Sequence, residues 1–375
     1  MAFDRQRAYE FSIHRDRDVA PFFAGRGKEL RRFDDALRET YTSRGNQAVF
    51  CGYQGPPGCG KTSLVAHLRE LHSGEALFVD VASRDFRTED APAERVSREI
   101  QNNRVDDDNV VSGFAQAGPP RPEPTQWDVK AVVLHMDEAQ EVEPYAKTGL
   151  VQLHARGLGI PCVLVITGLG NTRERLSALG GLSRLSEQAI VNMGAMAQNE
   201  CAESARMMLD ALGAVGSDEE KAFAAGGVAR LAYGWPQHLH IAQTALCSEL
   251  LRTNGSLRDV DTGRVQEETI RRRHLCYESR LDGSVLGLDR HFTKRVIVKI
   301  SEQSPPVVDE LDDLCGEAMK QAGWSEKPRL AKITSIEFVD ALVAKGVVTV
   351  SRSGCEVAIP SMVDWAADRD DPPSA

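Results

Sequence analysis

Apolar residues along this chain follow two rhythms. Short runs rich in Val, Ile, Leu or Phe occupy about 48–53, 76–81, 131–136, 162–167 and 189–193. Each has the length of a buried strand, and helical spacing fills the intervals, as with Leu64, Val65, Leu68 and Leu71. Strand alternating with helix predicts an α/β fold, a five-stranded parallel sheet covered on both faces. The stretch at about 102–128 breaks the alternation. It carries Asp106, Asp107 and Asp108, then Pro119, Pro120, Pro122 and Pro124, and reads as an exposed, mobile insertion.

From about residue 196 the helical period takes over. Ala202, Ala205, Met208 and Leu209 share one face of a helix over 198–212, and a second helix covers 218–232. A third begins after Gly234-Trp235, with Pro236 in its first turn, where a missing N–H costs nothing. Farther on, helices are expected at 289–302, 308–322 and 334–345, the last stopped by Gly346. Residues 347–351 and 355–359 then alternate like two strands around the turn Arg352-Ser353-Gly354. Helices followed by a hairpin suggest a winged helix. The expected layout is an extension at 1–21, a core at 22–195, a helical lid at 196–280, a winged-helix domain at 285–362 and a tail at 363–375, frayed over 369–375.

The most specific motif follows the first apolar run. Gly55, Pro56, Pro57, Gly58, Cys59, Gly60, Lys61, Thr62 and Ser63 make a complete phosphate-binding loop between a strand and a helix. Glycines let backbone N–H groups approach phosphate oxygens, and the helix N-terminus adds partial positive charge. Lys61 reaches β- and γ-phosphates and the Thr62 hydroxyl ligates Mg²⁺ in such loops. The expected fold is therefore the P-loop NTPase sheet, and the expected cofactors are ATP and Mg²⁺.

A matching acidic pair ends the third run, Val132-Val133-Leu134-His135-Met136-Asp137-Glu138. Asp137 is the expected Mg²⁺ holder, and Glu138 the group that orients and polarises the water attacking the γ-phosphate. The fourth strand, expected between the first and third, ends in Thr167, the choice for a polar side chain facing the γ-phosphate, with Asn171 as second candidate. Arg184 precedes the fifth strand and is the choice for an arginine that stabilises transition-state charge in a neighbouring subunit. Arg173 and Arg175 are its rivals.

Charge and cysteine usage narrow the partners. The formal net charge of −10 argues against coating of nucleic acid by the whole chain, without excluding a local basic patch. Residues 285–362 hold ten Lys or Arg against eleven Asp or Glu, so DNA docking would depend on clustering among Lys327, Arg329, Lys332, Lys345 and Arg352. The densest basic run, Arg271-Arg272-Arg273-His274, reads as one solvated helix face in preference to its alternative, a nucleic-acid contact. Eight cysteines, none in C-x-x-C or zinc spacing, fit reduced thiols, and Cys59 sits within the phosphate loop. No apolar run approaches the roughly 20 residues that span a bilayer, and no signal-peptide core opens the chain. A cytoplasmic location without membrane contact is expected.

These elements resemble the AAA+ ATPases, in particular the branch of origin-recognition ATPases, with overlap to the STAND signalling ATPases, over about residues 22–250. The segment Phe23-Ala24-Gly25-Arg26-Gly27-Lys28-Glu29-Leu30 looks like the box that opens such domains. The resemblance implies adenine-side contacts from about Gly25 and Arg26, a Ser-Arg finger box at Ser183-Arg184, and a terminal winged helix. One departure stands out. Gly234-Trp235-Pro236-Gln237-His238 has no arginine where family members often carry one, and is closer to the STAND arrangement, with Pro236 on the adenine side.

Two functions are expected from this. One is an ATPase switch that binds and hydrolyses ATP, assembles with itself or with partners, and docks DNA or another protein through the winged helix. The other is a regulator or adaptor, in a transposition, defence or transcription system, that holds ATP or ADP with negligible turnover.

Overall fold

The computed structural model describes residues 2–13, 22–42, 49–81, 130–139, 161–170, 172–173, 189–281, 290–302, 313, 334–351 and 354–367. The described chain forms two compact units. One comprises Arg26–Gly55 and Lys61–Met193; the other comprises Met1–Gly25, Pro56–Gly60 and Gly194–Ala375.

The first unit is built on a sheet of β1 (Val49–Gln54), β2 (Ala76–Val81), β3 (Ala131–Met136), β4 (Cys162–Gly168) and β5 (Ile190–Asn192). The order is β2-β3-β4-β1-β5 and every pairing is parallel. Every residue of β3 and β4 is buried, as unbroken apolar runs require when both faces are covered. The five expected strands are all present within a residue or so of their expected ends, and β4 lies between β1 and β3 as anticipated. Helices α2 (Gly27–Thr42) and α3 (Lys61–Leu71) belong to this unit. The buried Tyr53 hydroxyl donates to the Glu29 carbonyl at 3.0 Å, and Arg32 Nη2 donates to the Phe50 carbonyl at 2.9 Å, so both tie α2 to β1.

The second unit is helical. It contains α1 (Arg5–Ile13), α4 (Gln198–Ala211), α5 (Asp218–Ala232), α6 (Pro236–Arg252) and α7 (Thr262–Leu281). Ser217 caps α5, accepting from the Glu220 N–H while Glu220 reaches back to the Ser217 N–H. The core joins Ala205, Met208 and Leu209 to Val228, Ala242 and Leu246, and α1 adds Ala8 and Phe11. Within the expected extension at 1–21 lies α1, whose only buried residues are Ala8 and Phe11, too few to mark a periodic face. The Asp4 N–H donates to the Leu212 carbonyl at 2.8 Å, and the Phe11 and Phe22 rings meet edge-to-face at 5.3 Å.

Toward the C-terminus the same unit contains α8 (Arg290–Glu302), α9 (Ser335–Ala344), the antiparallel pair β6 (Val348–Ser351) and β7 (Gly354–Val357), and α10 (Met362–Ala367). Apart from residue 313, the expected helix at 308–322 lies outside the described residues, as does the insertion at about 102–128. The run at 271–274 is a correction. Arg273 is buried, donates to the Leu231 carbonyl at 2.9 Å and stands 5.0 Å over the Tyr233 ring. Arg272 donates to Thr244 Oγ1 at 3.0 Å, which leaves Arg271 as the exposed arginine of the run. Three consecutive residues on a helix span 200°, so they cannot share one face.

Candidate functional site

In the sheet unit the candidate residues gather at the C-terminal ends of the strands, where ligands of open parallel sheets bind. Strand β1 delivers Gly55, and α3 starts at Lys61. The buried Lys61 ammonium donates to the Gly55 carbonyl at 2.8 Å, closing the base of the loop. Thr62 is exposed in the first turn of α3, with Ser63 half-buried beside it. Gln54 braces the strand ends. Its Nε2 donates to Asn192 Oδ1 at 2.7 Å, while its Oε1 accepts from the Arg173 N–H at 3.0 Å. Nothing in the residues around Gln54 marks this role, because its partners come from distant segments.

Strand β3 ends at Met136 and releases Asp137, half-buried, and Glu138, exposed. Asp137 Oδ1 accepts from the Glu138 N–H at 3.0 Å and from the Thr167 hydroxyl at 2.6 Å. Glu138 has φ of 50°, in the left-handed region that non-glycine residues visit rarely. Thr167, fully buried at the end of β4, therefore lies directly against Asp137, and the strand order brings the two together. His135 completes the cluster. Its Nδ1 is 2.8 Å from Asp80 Oδ1 on β2, and its Nε2 is 2.9 Å from Thr167 Oγ1. The His135 bond, more than any other influence, lowers the Asp80 carboxyl to a pKa of about 2, and Arg69 adds to the effect from 2.7 Å.

The opening box behaves as backbone punctuation. Gly25 and Arg26 both have positive φ, 73° and 58°. Arg26 is buried and pairs with Glu29 at 3.4 Å. Arg173 is half-buried, and its Nη2 is buried with no hydrogen-bond partner among the described residues. Arg184, Ser183, Arg175 and Asn171 lie outside the described residues, as do Lys327, Arg329, Lys332 and Arg352.

In the helical unit the loop crest Pro56–Gly60 meets the start of α6 and the end of α7. Gly58 and Gly60 have φ of 80° and 93°, which explains glycine at both positions. The Gln237 N–H donates to the Gly58 carbonyl at 3.1 Å. Pro236, at the first position of α6, lies beside Gly60, where an added Cβ would fall 3.4 Å from its ring. Cys59 is fully buried. No arginine stands at the start of α6, but one reaches the loop crest from the last turn of α7. Arg280 Nη2 donates to the Pro57 carbonyl at 3.0 Å and to Gln237 Oε1 at 2.7 Å. Burial lowers the Arg280 pKa, and its Nη1 has no hydrogen-bond partner among the described residues.

The donor set suits Mg²⁺ with a triphosphate. A hydroxyl at Thr62 and a carboxylate at Asp137 are hard oxygen ligands, and Mg²⁺ usually takes one or two carboxylates with phosphate oxygens and water. Among the described residues no group of three or more His, Cys, Asp or Glu could hold a metal unaided. No described helix is long and apolar enough to cross a membrane.

The fold is that of the P-loop AAA+ ATPases: a five-stranded parallel sheet with β4 between β1 and β3, the phosphate loop after β1, and accompanying helices. Among solved structures the chain is similar to a Walker-type ATPase of Pyrococcus abyssi, with a TM-score of 0.57 and 13% identity over 92% of this chain and 96% of that one. It is also similar to the ORC2 protein of Aeropyrum pernix, solved as ADPNP–ADP complexes, with a TM-score of 0.56 and 10% identity over 98% of both chains. No protein-family model and no curated protein matches the sequence.

Proposed function

We propose that this protein is an ATP-binding and ATP-hydrolysing AAA+ switch of the origin-recognition and STAND-like branch. The observation that carries the reading is the strand-end cluster of the sheet unit. Lys61 and Thr62 open α3 directly after the loop, and Asp137 is held 2.6 Å from Thr167 by the order β3-β4-β1. In this reading the backbone of Gly55, Pro56, Pro57, Gly58, Cys59 and Gly60 wraps phosphate, and Lys61 and Ser63 face its oxygens. Thr62 and Asp137 hold Mg²⁺, which when bound neutralises developing charge on the phosphates. Glu138, exposed beside Asp137, orients and polarises the attacking water. Thr167 senses the γ-phosphate by way of Asp137, to which its hydroxyl donates, and Arg184 serves the site of a neighbouring subunit in a homo- or hetero-oligomer. The adenine-side roles of Gly25, Arg26 and Pro236 rest on the family resemblance.

The proposed domains are a core at 22–195, a lid at 196–280 and a winged helix at 285–362 that docks DNA or a partner protein. The second reading, a cytoplasmic regulator that holds nucleotide with negligible turnover, is favoured by one observation: Gln237, not arginine, occupies the start of α6, and the Arg280 that reaches the loop crest spends its Nη2 on the Pro57 carbonyl and Gln237 Oε1.

Nucleotide binding and turnover in Lys61→Ala and Glu138→Gln separate the readings. Loss of the lysine is expected to weaken ATP binding by at least about 1.5–3 kcal/mol, on the order of 10- to 100-fold. Glu138→Gln is expected to keep binding and lose turnover by on the order of 10²–10⁴-fold. Normal hydrolysis by Glu138→Gln removes the base assignment; binding without phosphate release by the unaltered protein selects the second reading.

A further inference from the structure

Behind the acidic pair lies a chain of side chains of which the proposed mechanism uses Thr167 alone. Asp80, His135 and Thr167 sit on one face of the sheet. Asp80 and His135 are lateral partners across β2 and β3, and His135 is level with Val165, two residues before Thr167 on β4. His135 and Thr167 are buried, while the Asp80 side chain is 55% exposed. A histidine is out of place in the otherwise apolar run of β3, so its burial needs a partner on each ring nitrogen, and it has both.

Hydrogen counting sets the direction of the chain. A carboxylate only accepts, so the 2.6 Å contact makes the Thr167 hydroxyl the donor to Asp137 Oδ1. That hydroxyl has one hydrogen, so at 2.9 Å His135 Nε2 is the donor into the Thr167 oxygen, and because the Asp80 carboxylate also only accepts, Nδ1 donates as well and the ring carries both hydrogens. The ring is held from behind by Asp80, whose second oxygen is taken by Arg69 of α3 at 2.7 Å. Asp137 Oδ1 thus receives two donors, the Thr167 hydroxyl and the Glu138 N–H. Its Oδ2 has no hydrogen-bond partner among the described residues.

We propose that His135 is a positioning residue that, braced by Asp80, turns the Thr167 hydroxyl onto Asp137 and so presents one fixed carboxylate oxygen to a divalent cation accompanying nucleotide. The proposal rests on the nucleotide-site reading above and adds to it two residues that touch neither nucleotide nor metal.

The test measures affinity for a fluorescent ATP analogue, with Mg²⁺ and with EDTA, beside thermal melting of each variant. The unaltered protein binds more tightly with Mg²⁺. Removing the ring nitrogens in His135→Phe is expected to cut that metal-dependent tightening by about tenfold while affinity in EDTA stays within about twofold. His135→Gln, whose amide still donates, recovers part of the loss. Asp80→Asn, a same-size change at a half-exposed side chain, moves the metal response in the same direction, and the double variant is no worse than His135→Phe alone. A purely structural role would lower the melting temperature and both affinities together, and that outcome overturns the proposal. So does an unchanged metal response in folded His135→Phe. If His135→Phe does not fold, Asp80→Asn decides, with an unchanged metal response counting against. Absence of nucleotide binding by the unaltered protein removes the underlying reading and this proposal with it. A metal response in the unaltered protein that survives both substitutions removes this proposal alone.

Discussion

Asp80 shows how one side chain reports on its surroundings. Its carboxyl is held at a pKa of about 2 in the folded protein, against an ordinary value of 3.8, by His135 first and Arg69 after it. A lowered folded-state pKa means that the ionised form stabilises the fold. That contribution is complete above about pH 4 and disappears as pH falls toward 2. Urea unfolding at stepped pH is expected to show the unaltered protein ahead of Asp80→Asn at pH 5, with the gap closing between pH 4 and 2. A gap that stays constant across that range would mean the pair does not shift the titration. Because Asp80 is half-exposed, solvent screening keeps the effect modest. His135 is packed, but between two polar partners. Nothing in the run Val132-Val133-Leu134-His135-Met136 names those partners, since Asp80 and Thr167 are 55 and 32 positions away.

At the scale of elements, period and punctuation carried most of the reading. The five apolar runs became β1 to β5, and Pro236 begins α6, as the chain order indicated. Capping is equally local. Ser217 and Glu220 form a reciprocal pair at the start of α5, with bonds of 3.2 and 2.8 Å. Ser217→Ala is expected to destabilise the fold by about 1 kcal/mol, read from the chemical-denaturation midpoint, with nucleotide affinity unchanged. A loss well under half of that would place α5 under tertiary rather than local control. α1 is the opposite case. Its two buried residues leave almost no helical stripe, and it is held by the core of α4 and α6. The run at 271–274 failed for a related reason. Composition marks it as solvated, while the turn of α7 points Arg273 inward to the Leu231 carbonyl.

For the whole molecule, charge and assembly matter more than any one contact. With 45 Lys or Arg against 55 Asp or Glu, the chain repels a polyanion on average, so DNA binding would have to be local and strongly salt-dependent. If ATP drives assembly, mass measured by light scattering should rise with Mg²⁺ and ATP and fall back with ADP. Addition of duplex DNA at low and moderate salt then tests the winged-helix role. A mass unchanged by ATP argues for the nucleotide-holding reading, because an arginine acting in a neighbouring site has no role in a lone subunit.

The sequence alone determined what depends on neighbours along the chain: the strand-loop-helix around Lys61, the acidic pair after β3, the helix starts and the alternation that makes a parallel sheet. Backbone conformation and amphipathic period are short-range properties, so residue order is enough to read them. Tertiary structure decided which distant polar groups meet: Asp80 with His135, Thr167 with Asp137, Gln54 with Asn192, and Arg280 with a carbonyl 223 positions away. Those pairings follow from strand order and helix packing. A buried polar group must find a partner, and only the folded chain determines which one is within reach.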